Sequence, residues 1–75
     1  ELKQFVKAAV AYQKASDHWP DNPGIRCNLA LALSEQQDFE QALTHLEHAL
    51  ELAPDNKNIQ DMLHNTRKAI SIHDQ

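Results

Sequence analysis

The chain repeats itself with a period of 34 residues. "WPDNPGI" at residues 19–25 returns as "APDNKNI" at residues 53–59, so Pro20, Asp21, Asn22 and Ile25 recur as Pro54, Asp55, Asn56 and Ile59. Pairing residues 1–41 with residues 35–75 gives ten identities, among them Phe5/Phe39, Ala8/Ala42, Ala15/Ala49 and Leu29/Leu63. Chance pairing at ordinary composition gives about two or three. The shared positions are turn residues and apolar residues, the two things a stacked unit must reproduce. A unit of this length cannot bury its apolar face alone and has to pack on its neighbour in the chain.

The content of the unit is helical. The single Gly and the three Pro fall in two places, residues 20–24 and residue 54, and good helix formers fill the segments between. Apolar residues spaced three or four apart predict a first helix over residues 2–17, with Leu2, Phe5, Val6, Ala9, Tyr12 and Ala15 on one stripe. Asp21 or Asn22 caps a second helix over 23–36, which opens on Pro23 and carries Ile25, Leu29, Ala32 and Leu33. A polar "EQQD" connection leads to Asp38 as the cap of a third helix, 39–52, with Phe39, Ala42, Leu43, Leu46, Ala49 and Leu50 inward. Pro54 stops it. Asp55 or Asn56 then caps a fourth helix over 57–72, with Ile59, Met62, Leu63, Thr66, Ile70 and His73 as its stripe.

With 75 residues the chain is one small domain or a part of a longer one, and Glu1 in place of Met suggests an excised or processed segment. The apolar runs are broken every few residues, so membrane insertion is not expected. The net charge of −4 is uneven: residues 21–56 hold seven acids against one base, Arg26. An acidic middle argues against nucleic acid, whose phosphates call for clustered Lys and Arg. Cys27 is alone, permits no internal disulfide, and suits a reducing compartment such as the cytoplasm.

A 34-residue helix–turn–helix unit with these residues resembles the tetratricopeptide repeat (TPR). In "PGIRCNLALALSEQQDFEQALTHLEHALELAPDN", residues 23–56, Leu29-Ala30 stands for the Leu-small pair of that family and Leu33 for its Tyr. Ala42, Leu46 and Ala49 fill the close-packed positions, and Pro54 closes the unit. Arg26 replaces the expected aromatic, which should weaken the packing there. Residues 1–22 match the second half of a unit through Phe5, Ala8, Tyr12, Ala15 and Pro20. Residues 57–75 match only the first half, since His64 and Arg67 replace a small and an apolar residue. The resemblance implies an all-α, right-handed helix–turn–helix solenoid of about four helices. Its parts are the second helix of a preceding repeat (1–22), one complete repeat (23–56) and a half-repeat or capping helix (57–75).

It also implies the function: a non-enzymatic protein–protein interaction module that binds a peptide or helix of a partner on a concave face. By resemblance the first helix of each unit lines that face, which designates Cys27, Leu31, Ser34 and Glu35 on the second helix and Asn58, Asp61, Asn65 and Lys68 on the fourth. Relatives that grip a carboxylate-ended peptide use Lys, Asn and Arg there; the full set is absent, so that specificity is not expected. An accessory substrate-recognition domain of a larger enzyme and a self-association element are the alternatives. The latter would use an apolar second side of the first helix, Val6, Ala9 and Val10, which would otherwise dock an upstream helix.

Chemistry finds little support in the residues. His45 and His48 are three residues apart on the third helix, a spacing able to hold a metal ion, yet no third ligand is placed by the sequence. They are expected on a solvated surface away from the Ala42/Leu46/Ala49 stripe. No His or Asp is fixed near Cys27 by spacing, so neither a catalytic residue nor a cofactor is expected, and Cys27 reads as a small buried hydrophobe. Trp19 is expected to cover the adjacent turn.

Overall fold

The computed structural model describes residues 2–73, and the side chains of residues 3–72. The described residues form four helices: α1 (Leu2–His18), α2 (Pro23–Glu35), α3 (Phe39–Leu52) and α4 (Lys57–His73). Each expected end is met to within a residue, and no strand occurs among the described residues. The side chains of Leu2 and His73, expected on the inward stripes, lie outside the described residues.

The period reappears as hydrogen bonding. After α1 the Trp19 amide donates to the Ala15 carbonyl (2.8 Å) and the Asn22 amide to the Trp19 carbonyl (3.2 Å). After α3 the Ala53 amide donates to Ala49 (3.0 Å) and the Asn56 amide to Ala53 (3.1 Å). The next helix is then capped by asparagine, not aspartate: Asn22 Oδ1 accepts from the Ile25 amide at 3.2 Å and Asn56 Oδ1 from the Ile59 amide at 3.1 Å. Each cap satisfies an amide that the first helical turn leaves without a partner. Two long side chains at matching positions complete the motif. Arg26 Nε donates to the Pro20 carbonyl at 3.2 Å, and Gln60 Nε2 to the Pro54 carbonyl at 2.9 Å.

The hairpin inside the complete unit closes differently. The Gln37 amide donates to Ser34 (2.9 Å) and the Asp38 amide to Leu33 (2.9 Å), the paired bonds of a Schellman motif. Its left-handed position is usually glycine; here it is Gln37, with φ 64°. The expected capping by Asp38 is corrected. Asp38 occupies the N-cap of α3 but makes no side-chain capping bond, because its backbone (φ −88°, ψ 65°) is set by the turn and not extended.

Each helix packs on the next in sequence, giving a slab 37 × 32 × 15 Å. α3, held between α2 and α4, is the best covered: Ala42, Leu46 and Ala49 are 0 % exposed. The small Ala30 and Ala42 let α2 and α3 approach while Leu29, Leu33 and Leu46 fill the space beside them. On α1 the matching Ala8, Tyr12 and Ala15 are only half-buried, because α1 packs chiefly on α2. Ala9, expected on the open side, is buried against α2 with Leu29 and Leu33. Val6 and Val10 do lie open. Gln36, expected in a polar connection, ties α1 to the end of α2, its Nε2 donating to the Phe5 (3.3 Å) and Ala32 (3.2 Å) carbonyls.

Candidate functional site

The 34-residue shift pairs the residues expected to bind: Cys27 with Asp61, Leu31 with Asn65, Ser34 with Lys68. Leu31 and Asn65 lie on the same side of α2 and α4 and border one shallow concavity of about 240 Å³. Ser34 joins them, together with Phe39, Met62, Thr66 and Ala69. Three of the eight designated residues therefore meet. Cys27, Glu35, Asn58, Asp61 and Lys68 do not line the concavity. Glu35, Asn58, Asp61 and Lys68 are exposed on the same two helices, and Cys27 is half-buried against the core.

Three of the walls, Phe39, Met62 and Thr66, come from the expected apolar stripes, and Ala69 was not among them. Met62 and Ala69 stand three residues before and four after Asn65, so helix geometry puts them beside it. Thr66 is buried and spends its hydroxyl within the helix, donating to the Met62 carbonyl at 2.8 Å. The inward stripe and the concavity share an edge, a signal available in the spacing but masked when each residue is given one role. Leu31, with 54 % of its surface exposed, is the most open apolar member. Its repeat partner Asn65 carries an amide able both to donate and to accept. The concavity thus offers an apolar floor with two polar groups, the Asn65 amide and the Ser34 hydroxyl, suited to bonding a peptide main chain.

The other candidates resolve individually. Burial raises the Cys27 thiol above its ordinary pKa, which keeps it protonated and weakens it as a nucleophile. His45 is not on a solvated outer face, contrary to expectation. Its Nδ1 lies 3.2 Å from the Arg26 guanidinium, so it accepts that hydrogen bond and the ring is neutral with its proton on Nε2. Its pKa is lowered first by partial burial, then by the charges of Arg26 and His48. One lone pair is already committed, while His48 is exposed. Among the described residues no three His, Cys, Asp or Glu side chains gather closely enough to share an ion.

Arg26 also corrects the expectation of a weakened contact. In place of an aromatic it bridges the Pro20 carbonyl and His45, joining the preceding turn to α3 through α2. Arg67, the other departure, pairs with Glu47 of α3 at 3.5 Å, with both side chains well exposed. Trp19, expected to cover its turn, is 57 % exposed, with its ring edge-on to His18 at 4.4 Å.

No described helix is long and apolar enough to cross a membrane. No curated protein matches the chain. A family model described as tetratricopeptide repeat matches residues 1–65. Repeats of this kind are protein-interaction scaffolds and are typically non-catalytic. With that match spanning most of its length, and with four helices of the expected order, the chain belongs to the tetratricopeptide repeat family.

Proposed function

We propose that the chain binds an extended peptide or a helix of a partner protein on the face shared by α2 and α4. Residues 23–56 act as the complete repeat, residues 1–22 as the second helix of a preceding one, and residues 57–75 as a half-repeat or cap. The observation that carries this reading is the meeting of Leu31, Ser34 and Asn65 on one apolar concavity. An aliphatic side chain of the partner fits between Leu31 and Met62, and the Asn65 amide bonds its main chain. Binding then rests on a preformed surface with no ordering cost on the scaffold side, the usual advantage of a solenoid face. Cys27 contributes packing from beneath, and Glu35, Asn58, Asp61 and Lys68 set the charge pattern around it.

A photocrosslinking side chain placed at position 31 or 65, with position 44 on the exposed side of α3 as control, tests the assignment. The expected result is one common adduct from positions 31 and 65 that is absent from 44. That adduct is lost when the double variant Leu31→Glu, Asn65→Ala is probed at 34. Equal labelling from all positions, or unchanged labelling in the double variant, overturns it.

A second reading, self-association, is favoured by one observation. Val10, 53 % exposed, lines a shallow groove with Ala9, Gln13, Lys14, Leu29 and Leu33, and Val6, 44 % exposed, stands one turn before it on α1. A second copy covering that groove would bury both valines. Light scattering of Val10→Glu against the wild type measures it: equal monomer fractions at every concentration reject it.

A further inference from the structure

The two inter-repeat turns are built from the same bonds, so each serves as a control for the other. Both have an amide-to-carbonyl link back to the preceding helix, an asparagine cap and a long side chain on the proline carbonyl. At one position they differ sharply. Where the second turn has Ala53, the first has Trp19. An indole is therefore not needed to make the turn. Nor is it buried, since 57 % of Trp19 is exposed. An open Trp is unusual, because burying so large an apolar surface is normally worth more than solvating it.

The surroundings say what such an indole could receive. His18, Trp19, Pro20, Asp21, Asn22 and Pro23 line a shallow, open concavity of about 490 Å³. His18 meets the indole edge-on, the rings being 83° apart at a centroid distance of 4.4 Å. Asp21 is the carboxylate among the lining residues; Asp17, in the last turn of α1, is not among them and accepts a bond from Gln13 Nε2 at 3.0 Å. Between residues 15 and 56 the only Lys or Arg is Arg26, whose guanidinium is bonded to the Pro20 carbonyl and to His45. The corner thus joins an exposed π face to a carboxylate, with Lys14, one turn before His18 on α1, as the nearest lysine in the sequence.

We propose that this corner binds a cationic side chain of a partner protein, arginine in preference to lysine, stacked on Trp19 and paired with Asp21. The indole is the strongest aromatic acceptor of a cation. A guanidinium can lie flat on it while presenting its fork to a carboxylate, which an ammonium cannot. The rigid Pro20 and Pro23 hold the corner open without an ordering cost. The site is separate from the α2–α4 concavity and stands or falls independently of it.

Trp19 is the only Trp in the chain, so its indole N–H resonance and its emission report on the corner directly. The probes are acetyl-Gly-Arg-Gly-amide, its lysine and norleucine counterparts, and choline. The expected result is a saturable shift of the indole resonance with the arginine peptide at about millimolar concentrations. The lysine peptide should bind more weakly and norleucine not at all. Asp21→Asn should weaken arginine binding about two- to fivefold. Trp19→Ala places in the first turn the residue the second already has, so it should fold; the Asp21 and Asn22 amides should then cease to respond to the peptide. No shift with arginine, or equal shifts with norleucine, overturns the proposal. A preference for choline overturns the assignment to a protein side chain.

Discussion

Gln37 holds the left-handed position of the α2–α3 turn with φ 64° and no glycine to ease it. That conformation costs an L-residue about 1–2 kcal/mol, from contact between Cβ and the neighbouring carbonyl. Replacing Gln37 by Gly removes the contact, while the greater freedom of glycine in the unfolded chain returns about 0.5–1 kcal/mol. The net expectation is a gain of about 0.5–1 kcal/mol. Neither Schellman bond is lost, because both are donated by backbone amides, those of Gln37 and Asp38. The side-chain link between α1 and α2 is also untouched, because it is made by the neighbouring Gln36. A core this small supplies about 3–5 kcal/mol in all, so the change is a measurable fraction. In urea, with a slope near 1 kcal/mol/M for so short a chain, the midpoint should rise by about 0.5–1 M. By heat the melting temperature should rise by about 2–8 °C. Circular dichroism at the helical band reads both. Gln37→Val, β-branched at a positive φ, must move the other way. A Gly variant no more stable than the wild type, or a Val variant equal to it, would refute the reasoning.

Ala42→Leu forces a larger side chain between α2 and α3 where no surface is exposed, and should cost about 1–3 kcal/mol in a urea titration. Asn56→Ala removes the acceptor for the Ile59 amide and should cost about 1 kcal/mol. Asn56→Asp, which keeps an acceptor at a helix N-terminus, should stay near wild type by the same titration. His45 gives a pH signature. Its folded pKa is depressed by burial and by Arg26, so its contribution to stability is whole above the unfolded value of about 6.5. It is lost as pH falls toward and through the folded value. His45→Gln should flatten the stability profile in that window, and identical slopes for the two proteins would show that His45 does not titrate against Arg26.

The parts of the fold that could be read from the sequence were those that depend on residue class. Four helices, their ends, and the buried Ala42/Leu46/Ala49 face follow from spacing, because burial asks only for an apolar residue of suitable size at the right interval. What escaped depends on which bond a particular atom makes. Asp38 sits at an N-cap and makes no capping bond, since the preceding turn sets its backbone. Gln37 adopts the conformation that glycine would have announced. Arg26, read as a lost aromatic contact, instead bonds across to α3. The concavity was legible in part: Leu31, Ser34 and Asn65 were named, Phe39, Met62 and Thr66 had been assigned to the inward stripes and line it as well, and Ala69 was given no role.

The period also separates what the fold requires from what it merely permits. Arg26 and Gln60 differ in charge, shape and length, yet both donate to the carbonyl of the proline six residues earlier. Sequence identity at that position is absent although the structural role is conserved between the two halves, so a count of matching residues understates how alike the two turns are. Trp19 and Ala53 show the opposite case. The backbone bonds around them agree to within 0.2 Å, the difference of 2.8 and 3.0 Å being the larger of the two, while the side chains share no role. A residue that its own internal copy shows to be dispensable for the turn, and that stays exposed despite its size, is poorly explained by folding. The proposed recognition of a cation by this indole gives a physical reason for its exposure that the turn does not supply.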